Sequence, residues 1–185
     1  MVKKKACIFI SGSGTNLKAL IKSSREYSFP INIDYIVSSN KKAKGIKFAK
    51  LYKIPYRILN INKIINLENF LKDLKKRNIT IICLAGYMKI LNKRFINGFK
   101  KKIINIHPSL LPKYKGLNTF QRALKNNDKF TGCTVHYVNN KLDSGKIILK
   151  KRIIIEKNDN EETLKAKIQA KEHRAYSESI INIFK

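Results

Sequence analysis

The stretch Lys5-Ala6-Cys7-Ile8-Phe9-Ile10-Ser11-Gly12-Ser13-Gly14-Thr15-Asn16-Leu17 decides the fold. Residues 5–10 are almost wholly apolar, the pattern of a strand buried on both faces. Two glycines then allow a sharp turn. A helix pattern follows over 16–27, with Leu17, Leu20, Ile21 and Ser24 on one face. A buried strand that feeds a helix through a glycine turn opens a parallel sheet covered by helices. The start of that helix offers unpaired N–H groups and a partial positive charge, and Thr15 and Asn16 add side-chain donors, so the loop suits a phosphate. It lacks the Gly-Lys-Ser/Thr of a P-loop, and Leu17 stands where the dinucleotide fingerprint has its third glycine. The competing reading is a tight turn capped by the Thr15 or Asn16 side chain.

Working outward, the alternation continues. Strand patterns occupy 33–38, 56–59 and 79–84, and helix patterns 42–52 and 67–77, with Ile54-Pro55 stopping the second helix. Beyond Gly86 a short helix at 92–97 precedes a strand at 102–106. His107 to Gly116, rich in proline and glycine, is irregular. A helix at 118–126 and strands at 131–138 and 146–155 follow, the strands joined by turn residues Asn139 to Gly145. The last helix starts at Asp159, where Asp159 and Glu162 fit the capping-box spacing.

Length and composition bound the function. A chain of 185 residues, 43% hydrophobic, suits a single domain over 1–185. Its phosphate-binding half is expected in 1–100 and its catalytic half in 101–185. No apolar run approaches a membrane span. The basic start Met1-Val2-Lys3-Lys4-Lys5 leads straight into a strand rather than a cleavable signal, so a cytoplasmic location is expected. Cys7, Cys83 and Cys133 lie far apart in apolar stretches and read as reduced core thiols, and no metal-ligand spacing occurs. Forty Lys+Arg against twelve Asp+Glu give +28. The lysines are spread along the chain with abundant Ile and Asn, as A/T-rich coding would produce. A nucleic-acid binder would instead cluster basic residues with aromatics. A positive field would still help capture anionic substrates.

Four places carry chemistry. In Asn105-Ile106-His107-Pro108-Ser109-Leu110-Leu111-Pro112, residues two apart on a strand point the same way, so Asn105 and His107 emerge together at a strand end. Histidine suits proton transfer near neutral pH, and an Asn amide can donate to a developing oxyanion. A histidine before proline also fits a simple capped loop. Asp143, in Leu142-Asp143-Ser144-Gly145, reads by spacing alone as a turn residue. Glu172 falls on the apolar stripe Ile168, Ala175 and Ser179 of the last helix, where a carboxylate needs a partner or a ligand. His173, nearly opposite Leu164, reads as solvated, and His136, in Val135-His136-Tyr137, as a packed histidine.

Taken together, Ile10 to Leu17, Leu84-Ala85-Gly86-Tyr87-Met88-Lys89-Ile90-Leu91, Asn105 to Leu117 and Leu142 to Gly145 resemble the phosphoribosylglycinamide formyltransferase family, in order and close to its spacing. The resemblance covers nearly the whole chain. It implies a Rossmann-like α/β formyltransferase fold: a mostly parallel central sheet flanked by helices, with an antiparallel C-terminal portion. It implies 10-formyltetrahydrofolate as donor, phosphoribosylglycinamide as acceptor, and Asn105, His107 and Asp143 as the catalytic trio. It matches Gly14, Thr15, Asn16 and Glu172 to ribonucleotide contacts. It matches Met88, Lys89, Ile90, Leu91, Asn105, Asn139, Asn140, Lys141, Leu142 and Asp143 to the folate site. Asp143 is expected to raise the pKa of His107 and hold it as a cation.

Two departures accompany the resemblance. The stretch from Asn60 to Leu67 is short and lacks a folate-contacting arginine, for which Lys63 is the candidate substitute. The chain also stops at Lys185, soon after the last helix. Methionyl-tRNA formyltransferase, formyltetrahydrofolate hydrolase and a nucleic-acid-binding protein on the same fold are the alternatives. The first two carry further domains for which 185 residues leave no room. No membrane partner and no nucleic acid are expected, and the protein is expected to be a monomer or weak homodimer.

Overall fold

The computed structural model describes residues 2–63 and 67–185, with Lys63 by its backbone alone. Two compact units are found, one ending at Ile104 and one running from Asn105 to Ile183.

The first unit contains β1 (Lys4–Ile10), α1 (Thr15–Ser24), β2 (Ile31–Ser38), α2 (Ile46–Leu51), β3 (Tyr56–Ile58), a 3-10 turn (Ile61–Lys63), α3 (Leu67–Lys76), β4 (Ile79–Leu84) and α4 (Lys93–Phe99). The first residues of β5 (Lys102–His107) complete it. Strand order is β3-β2-β1-β4-β5, with β1 parallel to both neighbours and β2 parallel to β3. The apolar run of β1 is explained by this central place: Ala6 to Ile10 are all fully buried. Phe9 meets Tyr87 edge-on at 5.4 Å and Phe95 at 5.8 Å between ring centres.

Two helices are shorter than their sequence patterns. α1 stops at Ser24, where the Arg25 and Glu26 N–H groups turn back to the carbonyls of Lys22 and Ser23. α2 starts at Ile46 instead of residue 42, because the Asn40 side chain accepts from the Lys42 N–H and holds the preceding residues in a turn.

The second unit takes the end of β5, then α5 (Thr119–Lys125), β6 (Phe130–Tyr137), β7 (Ile147–Ile154) and α6 (Glu161–Phe184). Its strand order is β5-β6-β7, and β6 runs antiparallel to β7 from Phe130 opposite Ile154 to Val135 opposite Leu149. α6 buries Leu164, Ile168, Glu172, Ala175, Tyr176, Ser179 and Ile180, the stripe expected from its periodicity. Its capping box is Asn160 with Thr163, not Asp159 with Glu162. The Asn160 side chain accepts from the Thr163 N–H at 2.9 Å, while Asp159 accepts instead from the Glu156 N–H and from Lys167.

Among the described residues no helix is long and apolar enough to cross a membrane.

Candidate active site

In the first unit the glycine turn ends with Gly14 as the N-cap of α1, at φ 76° and ψ 25°. Glycine, rather than Thr15 or Asn16, therefore holds the capping position, and an anion here would face the positive end of the helix. Glycine is required at this position twice over. The φ is left-handed, and a Cβ on Gly14 would lie 2.5 Å from the Cα of Gly45. Gly45 in turn donates its N–H to the Gly12 carbonyl at 3.0 Å, which ties the loop to the start of α2.

Ser11 Oγ joins two further segments. It accepts from the Met88 N–H at 2.8 Å and bonds Ser39 Oγ at 2.6 Å. Ser11, Ser39, Asn40, Met88 and Lys89 line an open cavity of about 450 Å³. Of the expected folate segment, Met88, Lys89 and Ile90 are exposed, and Met88 and Ile90 present apolar surface that a flat heterocycle could cover. Leu91 is buried and belongs to the core. The Lys63 side chain lies outside the described residues. The lysines are less evenly spread in space than in sequence, because Lys41, Lys42, Lys44, Lys47 and Lys50 gather around one shallow depression at α2.

In the second unit the trio converges. His107 is 5% exposed. Its Nε2–H donates to the Tyr114 carbonyl at 2.8 Å, and its Nδ1 lies 3.4 Å from Asp143 Oδ2. The same carboxylate oxygen accepts the Gly116 N–H at 2.9 Å. Asp143 sits at φ 43°, a left-handed turn conformation that Asp tolerates, so the turn reading of this residue and its placement beside His107 both hold. Asn139 builds the turn by accepting from the Lys141 N–H at 2.9 Å and from Ser144 Oγ at 3.2 Å. Asn139, Asn140, Lys141 and Leu142 are exposed.

His136, read from the sequence as a packed histidine, enters as a fourth residue of this group. His136, 2% exposed on β6, donates its Nδ1–H to the Tyr137 carbonyl at 2.8 Å. That leaves Nε2 as an acceptor for the Asn105 amide at 3.3 Å, with Asp143 Oδ1 at 3.6 Å. The missed signal was Thr134-Val135-His136 itself: polar residues two apart on an otherwise apolar strand share a face. Thr134 does serve that face, since its hydroxyl donates to the Ser109 carbonyl at 2.7 Å and accepts from the Leu111 N–H at 3.0 Å.

The electrostatics correct one expectation. Burial pushes the His107 pKa below the ordinary histidine value. It outweighs the Tyr114 carbonyl and Asp143, which both act to raise it, while His136 and Arg122 lower it further. In the resting site His107 is therefore neutral near pH 7, although both of its ring nitrogens face acceptors. For Asp143, burial acts upward, but a hydrogen bond from His136 whenever its Nε2 carries a proton, the Gly116 N–H, and His107 whenever it is protonated hold the carboxyl below its ordinary value.

Glu172, 6% exposed on α6, acts on Cys133 of β6. Burial first and the Glu172 carboxylate second push that thiol up to about 12, consistent with an unreactive core cysteine. His173 is only partly exposed, rather than fully solvated as its helical angle suggested. Its Nε2 is buried without a hydrogen-bond partner among the described residues, and burial lowers its pKa.

Residues 4–180 match the formyl transferase family. The chain is 39% identical over 177 residues to the phosphoribosylglycinamide formyltransferase of Haemophilus influenzae, covering 94% of this chain and 84% of that protein. It is 38% identical over 180 residues to the human trifunctional purine biosynthetic protein adenosine-3, of which it spans 18%. The crystal structure of phosphoribosylglycinamide formyltransferase from Bacillus halodurans superposes with a TM-score of 0.90 at 36% identity, covering 97% of this chain and 95% of that one.

Proposed function

The chain belongs to the formyl transferase family, among its phosphoribosylglycinamide formyltransferases, and from that premise we propose that it moves the formyl group of 10-formyltetrahydrofolate to the amine of 5'-phosphoribosylglycinamide in purine biosynthesis. The observation that carries the reading is the meeting of Asn105, His107 and Asp143, with His107 Nδ1 3.4 Å from the carboxylate. His107 and Asp143 meet directly, and Asn105, two residues before His107, joins them through His136, at a corner where a carbonyl carbon could be attacked and its oxygen stabilised.

We assign the roles as follows. The substrate amine attacks the formyl carbon, and the new C–N bond leaves a negative oxygen on that carbon. One hydrogen of the Asn105 amide is committed to His136, and the other is left to donate to this oxygen. His107, neutral at rest, takes up the proton that the attacking amine loses and becomes a cation, which Asp143 stabilises. It then gives that proton to the folate nitrogen as the old C–N bond breaks and returns to the neutral ring. Gly14, Thr15 and Asn16 supply donors for the ribonucleotide phosphate, with Glu172 as a further ribonucleotide contact. Met88, Lys89, Ile90 and the 139–143 turn serve the folate, with Lys63 as a further candidate contact. We read residues 1–185 as one formyltransferase domain acting in the cytoplasm on these two small molecules.

The test is steady-state kinetics with both substrates. Asn105→Ala and His107→Ala should each lower kcat by about 100- to 1000-fold, the cost of one oxyanion donor. Near-normal turnover in both would overturn the roles. Offering methionyl-tRNA beside phosphoribosylglycinamide separates this reading from that of a methionyl-tRNA formyltransferase.

A further inference from the structure

Tyr114 is held in an unusual way for a loop residue. Its backbone lies in the left-handed region, φ 57°, which a bulky side chain adopts only when its surroundings enforce it. Its side chain is nearly buried, and the hydroxyl accepts from the Asn126 amide at 2.7 Å. The Arg122 guanidinium stands 4.8 Å and the Lys113 ammonium 4.9 Å from the ring centre. The flanking residues are tied as well. Arg122 donates to the Lys115 carbonyl at 2.8 Å, and Lys113 pairs with Asp128 at 2.6 Å. Apart from Lys113, these anchors lie on α5 or just beyond it. The result of the anchoring is the direction of one carbonyl, which accepts His107 Nε2–H at 2.8 Å and, at 3.4 Å, the Ser109 hydroxyl.

We propose that Tyr114 is a positioning residue for the reaction: α5 grips its phenol through Asn126 and Arg122, so that its main-chain carbonyl keeps the His107 proton on Nε2 and the Nδ1 edge turned to Asp143. The inference rests on the formyl-transfer reading for its effect on rate, but not for its effect on the imidazole. His107 is faced by Asp143 from the 139–145 turn, His136 from β6, Arg122 from α5 and the Tyr114 carbonyl from its own loop. Of these, the Tyr114 carbonyl and Asp143 favour a proton on the ring, and His136 and Arg122 oppose it. Loosening the carbonyl leaves Asp143 as the remaining acceptor among the described residues. The neutral ring then shifts its proton to Nδ1, and the cation becomes harder to form.

The chain has three histidines, so nitrogen NMR of ¹⁵N-histidine protein can follow each ring. The samples are wild type, Tyr114→Phe and Asn126→Ala, each assayed with phosphoribosylglycinamide and 10-formyltetrahydrofolate. In wild type His107 should carry its neutral proton on Nε2. In both variants its titration should move to lower pH and the Nε2-protonated fraction should fall, with His136 and His173 unchanged. kcat should fall about tenfold, the rate equivalent of one hydrogen bond, with both KM values changed less than about twofold. The pH limb of kcat should move with the NMR titration.

A His107 ring that titrates as in wild type in both variants would overturn the proposal, even if kcat and melting temperature fell together. An Nδ1-protonated neutral His107 in wild type would do so without any variant having to fold. A wild-type protein with the expected His107 signature but no turnover would uphold the role of Tyr114 and count against formyl transfer.

Discussion

The Asn105 amide donates to His136 Nε2 at 3.3 Å, and this contact fixes which way the amide faces. His136 can accept only because its Nδ1–H is spent on the Tyr137 carbonyl at 2.8 Å. His136→Ala removes the acceptor and frees the amide to rotate. It should lower kcat about 10- to 100-fold, less than losing the Asn105 donor outright. His136→Gln can restore an acceptor and should recover part of the loss. Turnover of the two variants at saturating substrates checks this.

Gly145 protects the same network from behind. A Cβ there would overlap the Tyr137 carbonyl oxygen that receives the His136 proton. Gly145→Ala must move either that carbonyl or the turn carrying Asp143. We expect kcat to fall at least about tenfold and the melting temperature to drop by several degrees, in line with overpacking costs of about 1–3 kcal/mol. Calorimetry alongside turnover would show both effects, and a change in neither would contradict the close approach.

How the site became legible follows from these residues. The run Lys5 to Ile10 declared a buried central strand because its neighbours on both sides are parallel strands. Asn105 and His107 could be paired from strand period alone, and Asp143 only through resemblance, since Asp-Ser-Gly looks like any turn. His136 was hidden because a single histidine in an apolar strand is compatible with ordinary packing. The Tyr114 carbonyl was not readable at all, since a backbone group leaves no mark in sequence. The capping box slipped by one residue because Asp159, Asn160 and Thr163 are all capping types, and local hydrogen bonds decided among them.

Acid should destabilise the fold. Burial depresses the folded-state pKa of both His107 and His173, so near pH 6.5 the unfolded chain binds protons that the folded chain does not. More protons bound in the unfolded state means stability rises with pH, and it is lost as pH falls from about 6.5 towards the depressed values. Asp143, also depressed, adds a second loss as pH falls below the ordinary carboxylate range. Melting temperature measured from pH 7.5 to 5 should decline, and His173→Gln should flatten the slope, since His173 Nε2 is buried without a partner among the described residues.

Gly14 joins a left-handed φ of 76° to a backbone approach that admits no side chain. Gly14→Ala should cost about 1–2 kcal/mol from the dihedral alone, with the clash against Gly45 adding to it. Because the loop is assigned to the phosphate, KM for the ribonucleotide should rise at least about tenfold while KM for the folate stays near its original value. An equal rise in both would contradict a selective role of the loop toward the ribonucleotide.

The lysines around α2 offer the last test, because they stand beside the same loop. Gly45 lies between Lys44 and Ile46 and bonds Gly12, so Lys41, Lys42, Lys44, Lys47 and Lys50 flank the segment that supports the proposed phosphate site. Exposed charges of one sign raise the encounter rate of an anion and do little once it is bound, and salt screens them over about 10 Å at 0.1 M. Changing Lys42, Lys44 and Lys47 together to Gln should therefore lower kcat/KM for the ribonucleotide severalfold at low ionic strength. It should leave kcat unchanged and shrink the difference as salt is added. If kcat/KM shows the same salt dependence in the variant and in wild type, the cluster is a by-product of lysine-rich composition and takes no part in capture.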